Sequence, residues 1–269
     1  MNRFIDINAD LGEGWGHYQI GNDDAMLSIV SSANVACGFH GGDFNTMAHT
    51  FAEARRKGVT IGAHPGFPDL WGFGRRIIPF SLPEIERIVA YQVGAARSMA
   101  AYAGHELAYV KTHGALGNLT EKDPEVAHAI LNALKAVAPD LPVMAIALSH
   151  LETIGRERGM TVLSEIFADR AYTEDGHLVS RKEKGAVLHD ADFAATRAVR
   201  MIQAGAIETV SGRLLPTRID SICVHGDNAE AVDIARKEHR TKAFTKLNPR
   251  GLMRNPVIFV TALVSLFTT

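Results

Sequence analysis

Short apolar runs recur along the chain, and several end in polar residues of the kinds that do chemistry. Phe4-Ile5-Asp6-Ile7-Asn8-Ala9-Asp10, Ala33-Asn34-Val35-Ala36-Cys37-Gly38-Phe39-His40 and Val59-Thr60-Ile61-Gly62-Ala63-His64-Pro65 are three of them. Ala108-Tyr109-Val110-Lys111-Thr112-His113-Gly114 and Ile219-Asp220-Ser221-Ile222-Cys223-Val224-His225-Gly226-Asp227 follow. A buried parallel strand reads as an apolar run, and barrel enzymes gather their chemistry where such strands end. Pro142–Ala147 and Thr161–Ile166 read as two further strands.

Helical spacing fills the intervals. Ala48–Arg56 has Phe51, Ala52 and Ala54 near a helical period, with Met47 just before it. Ser81-Leu82-Pro83-Glu84 reads as a helix start, with Ser81 as N-cap and Glu84 placed to complete a capping box. Ile85, Ile88, Val89, Val93 and Ala96 then form an apolar stripe. Asp123-Pro124 opens a further helix with Val126, Ile130, Leu131 and Leu134 on one face, and Ala191–Gly205 ends at a glycine, as helices often do. About seven strand–helix units without a compositional break imply a parallel sheet, closed into a barrel; an open doubly wound sheet is the alternative that periodicity leaves standing. Two polar excursions, Gly12–Asp24 and Phe167–His189, interrupt the alternation after the first and sixth strands and read as lids or binding loops. A helix is expected over Ala229–Arg236. After it the sequence turns basic and irregular over 237–251, then apolar over 256–269, so 1–236 reads as one domain and 237–269 as an atypical tail.

Composition narrows the function classes. The 269 residues carry a formal net charge of −2, which leaves no basic field for nucleic acid. The apolar end is too short for a bilayer span and no signal-peptide pattern opens the chain, so a cytoplasmic protein without membrane contact is expected. Its two cysteines, Cys37 and Cys223, sit in apolar runs and read as reduced thiols.

Asp6, Asn8 and Asp10 alternate, so they share one face of the first strand, and Glu13 follows on the loop. His40 lies among glycines and His64 precedes a Pro-Gly turn. With His113 and His225 they form a candidate cluster of imidazoles and carboxylates, suited to acid–base work or to a divalent metal held by Asp10, His40 and His64. Lys111 shares a strand face with His113, and a cation inside a barrel calls for an acid or a substrate anion beside it. Arg75 and Arg76, then Asp169-Arg170 and Arg181, extend this cationic inventory toward a small anionic substrate. No phosphate-binding loop, dinucleotide turn or nucleophile elbow is present.

Asp6–Glu13, Ser32–Asp43, Gly62–Gly66, Gly72–Arg76, Phe167–Tyr172 and Ile222–Asp227, in that order, closely resemble the LamB/YcsF family. The resemblance implies a (β/α)7-type TIM-like barrel akin to the glycoside hydrolase/deacetylase superfamily. It also implies ATP-dependent opening of 5-oxoproline to glutamate, carried out with two other subunits that would handle the ATP. Asp10, Lys111, His113 and His40 would then be the catalytic set, with Asp10 or a histidine activating water and Lys111 or His113 stabilising the oxyanion. Asn8, His64, Arg75, Asp169, Arg170 and His225 would bind substrate. Where the family has Lys-Pro-His-Gly-Ala-Leu-Tyr, this chain has Lys111-Thr112-His113-Gly114-Ala115-Leu116-Gly117, so the Tyr is gone. The amphipathic helix with which family members end is also not recognisable in 237–269. A metal-dependent amide or sugar hydrolase, or a deacetylase, working alone is the competing reading.

Overall fold

The structure is a computed structural model, and residues 5–224 are described. In chain order the elements are β1 (Asp6–Leu11), α1 (Asp23–Met26), β2 (Ser32–Ala36), α2 (Phe44–Lys57), β3 (Thr60–His64), α3 (Leu82–Tyr102), β4 (Leu107–Lys111) and α4 (Gly114–Leu119). There follow α5 (Pro124–Val137), β5 (Val143–Ile146), α6 (His150–Glu157), β6 (Val162–Phe167), α7 (Ala191–Ala204), β7 (Ala206–Glu208), β8 (Leu214–Pro216) and β9 (Ser221–Cys223). Seven strands close a parallel barrel in the order β1-β2-β3-β4-β5-β6-β9, with β9 hydrogen-bonded to both β6 and β1. This is the expected (β/α)7 TIM-like barrel, and the closure excludes the open sheet. His225, Ala229–Arg236 and 237–269 lie outside the described residues.

Local chemistry sets the helix ends. Asp43 caps α2 by accepting the Asn45 and Thr46 N–H groups, and Gly58 closes it with φ +70°. The Ser81/Glu84 capping box is formed, with Pro in the first turn of α3. Asp123 and Asp190 cap α5 and α7 in the same way. The short helices α1, α4 and α6, and the antiparallel β7–β8 ribbon, are absent from the sequence-based expectation; they are too brief to show a period.

Alternation divides each strand between two environments. Ile7, Ala9, Leu11, Ala33, Val35, Val110, Ile166 and Ile222 belong to the main apolar cluster with the helices. The alternate positions Asn8, Asn34, Tyr109, Lys111, Glu165, Ser221 and Cys223 hydrogen-bond one another inside the barrel. Barrel interiors are usually apolar, so this polar one is a departure that function must explain. Gly62 makes room for it, because a Cβ there would lie 2.2 Å from the Tyr109 ring. No helix among the described residues is long and apolar enough to cross a membrane.

The excursion after β6 folds back on itself through bridges at Arg170–Val187 and Tyr172–Leu178. Buried Glu121 pins it by accepting the Leu178 N–H at 2.9 Å. Burial raises the Glu121 carboxyl to about 7, against the opposing pull of that N–H and of Arg170. The folded carboxyl therefore holds its proton more tightly than the unfolded one. Its contribution is complete below the ordinary Glu range and is lost as pH rises through about 7. Glu121→Gln is expected to match the wild type at about pH 5 and to exceed it by about 2 kcal/mol at about pH 8. Urea unfolding at both pH values checks this, and an equal difference at the two would refute it.

Candidate active site

The polar interior rises in tiers toward the C-terminal ends of the strands. Tyr109 donates to Asn34 Oδ1 at 2.6 Å, and Asn34 Nδ2 donates to Asn8 Oδ1 at 2.6 Å and to Asp10 Oδ1 at 2.8 Å. Lys111 Nζ is held by Glu165 Oε1 at 2.8 Å, Asp10 Oδ1 at 3.0 Å and Asn8 Oδ1 at 3.2 Å, with Cys223 Sγ at 3.1 Å. Burial works against the ammonium, but the Asp10 and Glu165 carboxylates outweigh it, and its pKa stands well above the ordinary lysine value. Burial raises the Glu165 carboxyl, opposed by Lys111 beside it. Burial also raises the Cys223 thiol well above its ordinary range and pushes Cys37 up to about 12, so both cysteines stay protonated and inert.

Above this tier three imidazoles meet. His40 and His113 stack with ring centres 3.5 Å apart, and His64 stands edge-on to both. His64 Nδ1 donates to the Lys111 carbonyl and His113 Nε2 donates to the Phe73 carbonyl, each at 2.8 Å. The remaining nitrogens, His64 Nε2 and His113 Nδ1, face each other at 3.0 Å, and in neutral rings both carry lone pairs. Burial first, then the neighbouring imidazoles, hold His40 and His113 well below the ordinary histidine range. Glu13 Oε1 lies 3.3 Å from His40 Nε2 and 3.5 Å from His113 Nδ1. His40 Nδ1 is buried without a hydrogen-bond partner among the described residues. Glu13, His40, His64 and His113 offer ligand atoms within 4.8 Å of one another, a set able to hold a divalent metal.

Turn geometry builds this tier. Gly12, at φ +67°, bends the chain after β1 so that Glu13 returns to the barrel mouth. The 69–76 segment crosses above, where Asp69 pairs with Arg76 and accepts the Gly72 N–H. Gly74, at φ +63°, lies so close that a Cβ would sit 2.7 Å from His40 and 2.8 Å from His113. Phe73 takes φ +55°, rare for a bulky residue, and its ring packs edge-on to both histidines.

Asn8, Asp10, His40, His64, Lys111 and His113 are thus brought together as the sequence suggests. Asp10 Oδ2 lies 3.3 Å from His64 Nε2, but its Oδ1 is shared with Lys111 and Asn34, so Glu13 takes its expected place among the imidazoles. Arg75 lies at the rim over the Phe73 ring, 4.9 Å from its centre. Asp169 is buried, and its backbone carbonyl accepts the Leu188 N–H. Arg170 spends its guanidinium on the Val179 and Ala186 carbonyls, bracing the excursion. Sequence spacing does not single out Glu165 and Asn34; each is a polar side chain at an inward position of its strand, beside Ser164 in β6 and two residues after Ser32 in β2.

Known proteins share this architecture. A chain from Gluconobacter oxydans (strain 621H), named as a 5-oxoprolinase subunit, is 76% identical over 233 residues, covering 87% of this chain and 92% of that one. The protein of the same name from Azorhizobium caulinodans is 56% identical, covering 86% of this chain and 92% of the relative. The crystal structure of a lactam utilization protein from Thermus thermophilus superposes with a TM-score of 0.83 at 39% identity, covering 90% of this chain and 96% of that one. The family model described as LamB/YcsF matches residues 5–250, which spans every barrel strand and the loops that carry the imidazoles and Lys111. The chain belongs to the LamB/YcsF family.

Proposed function

We propose that this chain is the lactam-opening subunit of an ATP-dependent 5-oxoprolinase, yielding L-glutamate. The observation that carries the reading is the ammonium of Lys111 held beside Asp10 under a cluster of buried imidazoles. One carboxylate can take a proton there while the adjacent cation faces developing negative charge. The names of the relatives support the substrate class.

The lactam amide is unreactive, so ATP must first phosphorylate its oxygen. That step falls to two partner subunits, because the chain has no recognisable phosphate loop. In the ring-opening step, a water oxygen bonds to the ring carbonyl carbon and Asp10 takes the water proton. The C–N bond breaks, the ring nitrogen gains a proton and leaves as the amine, and a second water releases phosphate from the resulting acyl phosphate. On addition the electrons of the former C=N bond pass to the ring nitrogen, which takes up the proton from Asp10, and Lys111 stabilises the negative charge on the phosphoryl and adduct oxygens. Glu13, His40, His64 and His113 would hold a divalent metal, which when bound supplies Lewis acidity at this mouth. The facing lone pairs of His64 and His113 fit that use, and the lowered His113 pKa disfavours a shared proton instead.

The test is glutamate release from 5-oxoproline and ATP by the cognate partner subunits, with and without this chain. Glutamate only in its presence supports the proposal, and none from a chain shown folded by circular dichroism refutes it. The Glu13–imidazole set also suits a metal hydrolase or deacetylase acting alone, and amide hydrolysis by the metal-loaded chain without ATP would favour that alternative.

A further inference from the structure

Glu165 has no part in the ring-opening step, yet it is the more deeply placed of the two carboxylates on Lys111. Its residue is fully buried, whereas Asp10 is 9% exposed. Glu165 Oε1 takes both the Lys111 ammonium and the Asn8 amide at 2.8 Å, while Oε2 has no hydrogen-bond partner among the described residues. Asn8 is fixed in turn by Ser221 at 2.7 Å and by Asn34 at 2.6 Å. Strand β6 thus delivers a carboxylate whose one engaged oxygen contacts the Lys111 ammonium directly and is steadied by a braced amide. Asp10 is bound differently: Lys111 and Asn34 share its Oδ1, and its Oδ2 faces His64 toward the mouth.

We propose that Glu165 is a positioning residue, anchoring Lys111 from beneath so that Asp10 can exchange a proton without releasing the ammonium. This rests on the oxoprolinase reading above. With Asp10 as its sole anchor, Lys111 would lose its counter-charge at the moment Asp10 takes the proton from water. A buried ammonium without a partner is costly, so it would follow the charge and move. Held by Glu165, it stays in place while Asp10 is protonated, beside the anionic oxygens of the phosphorylated adduct.

The experiment uses the complete enzyme, titrating each variant of this chain against fixed partner subunits and reading glutamate. Glu165→Met is expected to lower the plateau rate about 100-fold while the half-saturating concentration of this chain stays within about threefold. Glu165→Gln, whose amide oxygen can still accept from Lys111, is expected to recover at least about tenfold over Glu165→Met. A purely structural role predicts a raised half-saturation and no rescue. A wild-type plateau for Glu165→Met, or Glu165→Gln no better than Glu165→Met, overturns the proposal. Should Glu165→Met not fold, Glu165→Asp draws the acceptor back by one methylene and is expected to fall below Glu165→Gln; the reverse order overturns it. A folded wild type that forms no glutamate overturns the oxoprolinase reading instead. The anchor is then read from thermal unfolding of Glu165→Gln, Lys111→Met and their combination: additive shifts overturn it and non-additive shifts support it.

Discussion

Asp10→Asn is expected to cut glutamate formation about a thousandfold while leaving the barrel intact. The asparagine can place its oxygen where Oδ1 now accepts from Lys111 and Asn34, and can turn its NH2 toward the His64 Nε2 lone pair. Lys111, Asn34 and His64 each keep a partner, so folding costs little. What disappears is the carboxylate that accepts a proton from water. The loss would therefore fall on the plateau rate of glutamate release, with unchanged circular dichroism and unchanged association with the partner subunits. Activity within about tenfold of wild type would remove Asp10 from the chemistry and leave the imidazoles as the source of the base.

How much of this was legible in the sequence follows from which forces act locally. The barrel strands carry period-two alternation, so Asp6-Ile7-Asn8-Ala9-Asp10 announces both its strand and its inward face, and Lys111 announces itself by its cost in such a place. Asp43 and the Ser81/Glu84 box fix helix starts through contacts a few residues apart, which sequence spacing records. Glu165 sits beside Ser164 in the middle of its strand rather than at a polar strand end, and its partner Lys111 is supplied from across the barrel. The choice between Asp10 and Glu13 as companion of the imidazoles depends on the left-handed turn at Gly12 and on the return of its loop over β2, neither of which spacing records. Arg170 reads as a substrate cation because nothing local shows that the excursion curls round to offer it two carbonyls. Pairings made by distant segments are where sequence reasoning ran out.

Replacing His64 and His113 together by Gln is expected to abolish divalent metal uptake. After loading with Zn²⁺ or Mn²⁺ and dialysis, the wild type would retain about one equivalent per chain and the double variant less than about a tenth of that. The tautomers supply the reason. The Lys111 and Phe73 carbonyls take the N–H of each ring, which leaves two lone pairs 3.0 Å apart with Glu13 and His40 beside them. Backbone acceptors that fix ring orientation in this way are the usual support of metal-binding imidazoles. Glutamine keeps a polar group of similar reach but cannot present the same lone pair on a rigid ring. Metal analysis and the visible spectrum of the Co²⁺-loaded chain read the outcome without any turnover. A companion variant then tests the acid: Glu13→Gln is expected to weaken binding at least about tenfold. Equal uptake by wild type and the double variant would dismiss the metal. The facing nitrogens would then have to share a proton, and the mouth of the barrel would work by acid–base chemistry alone.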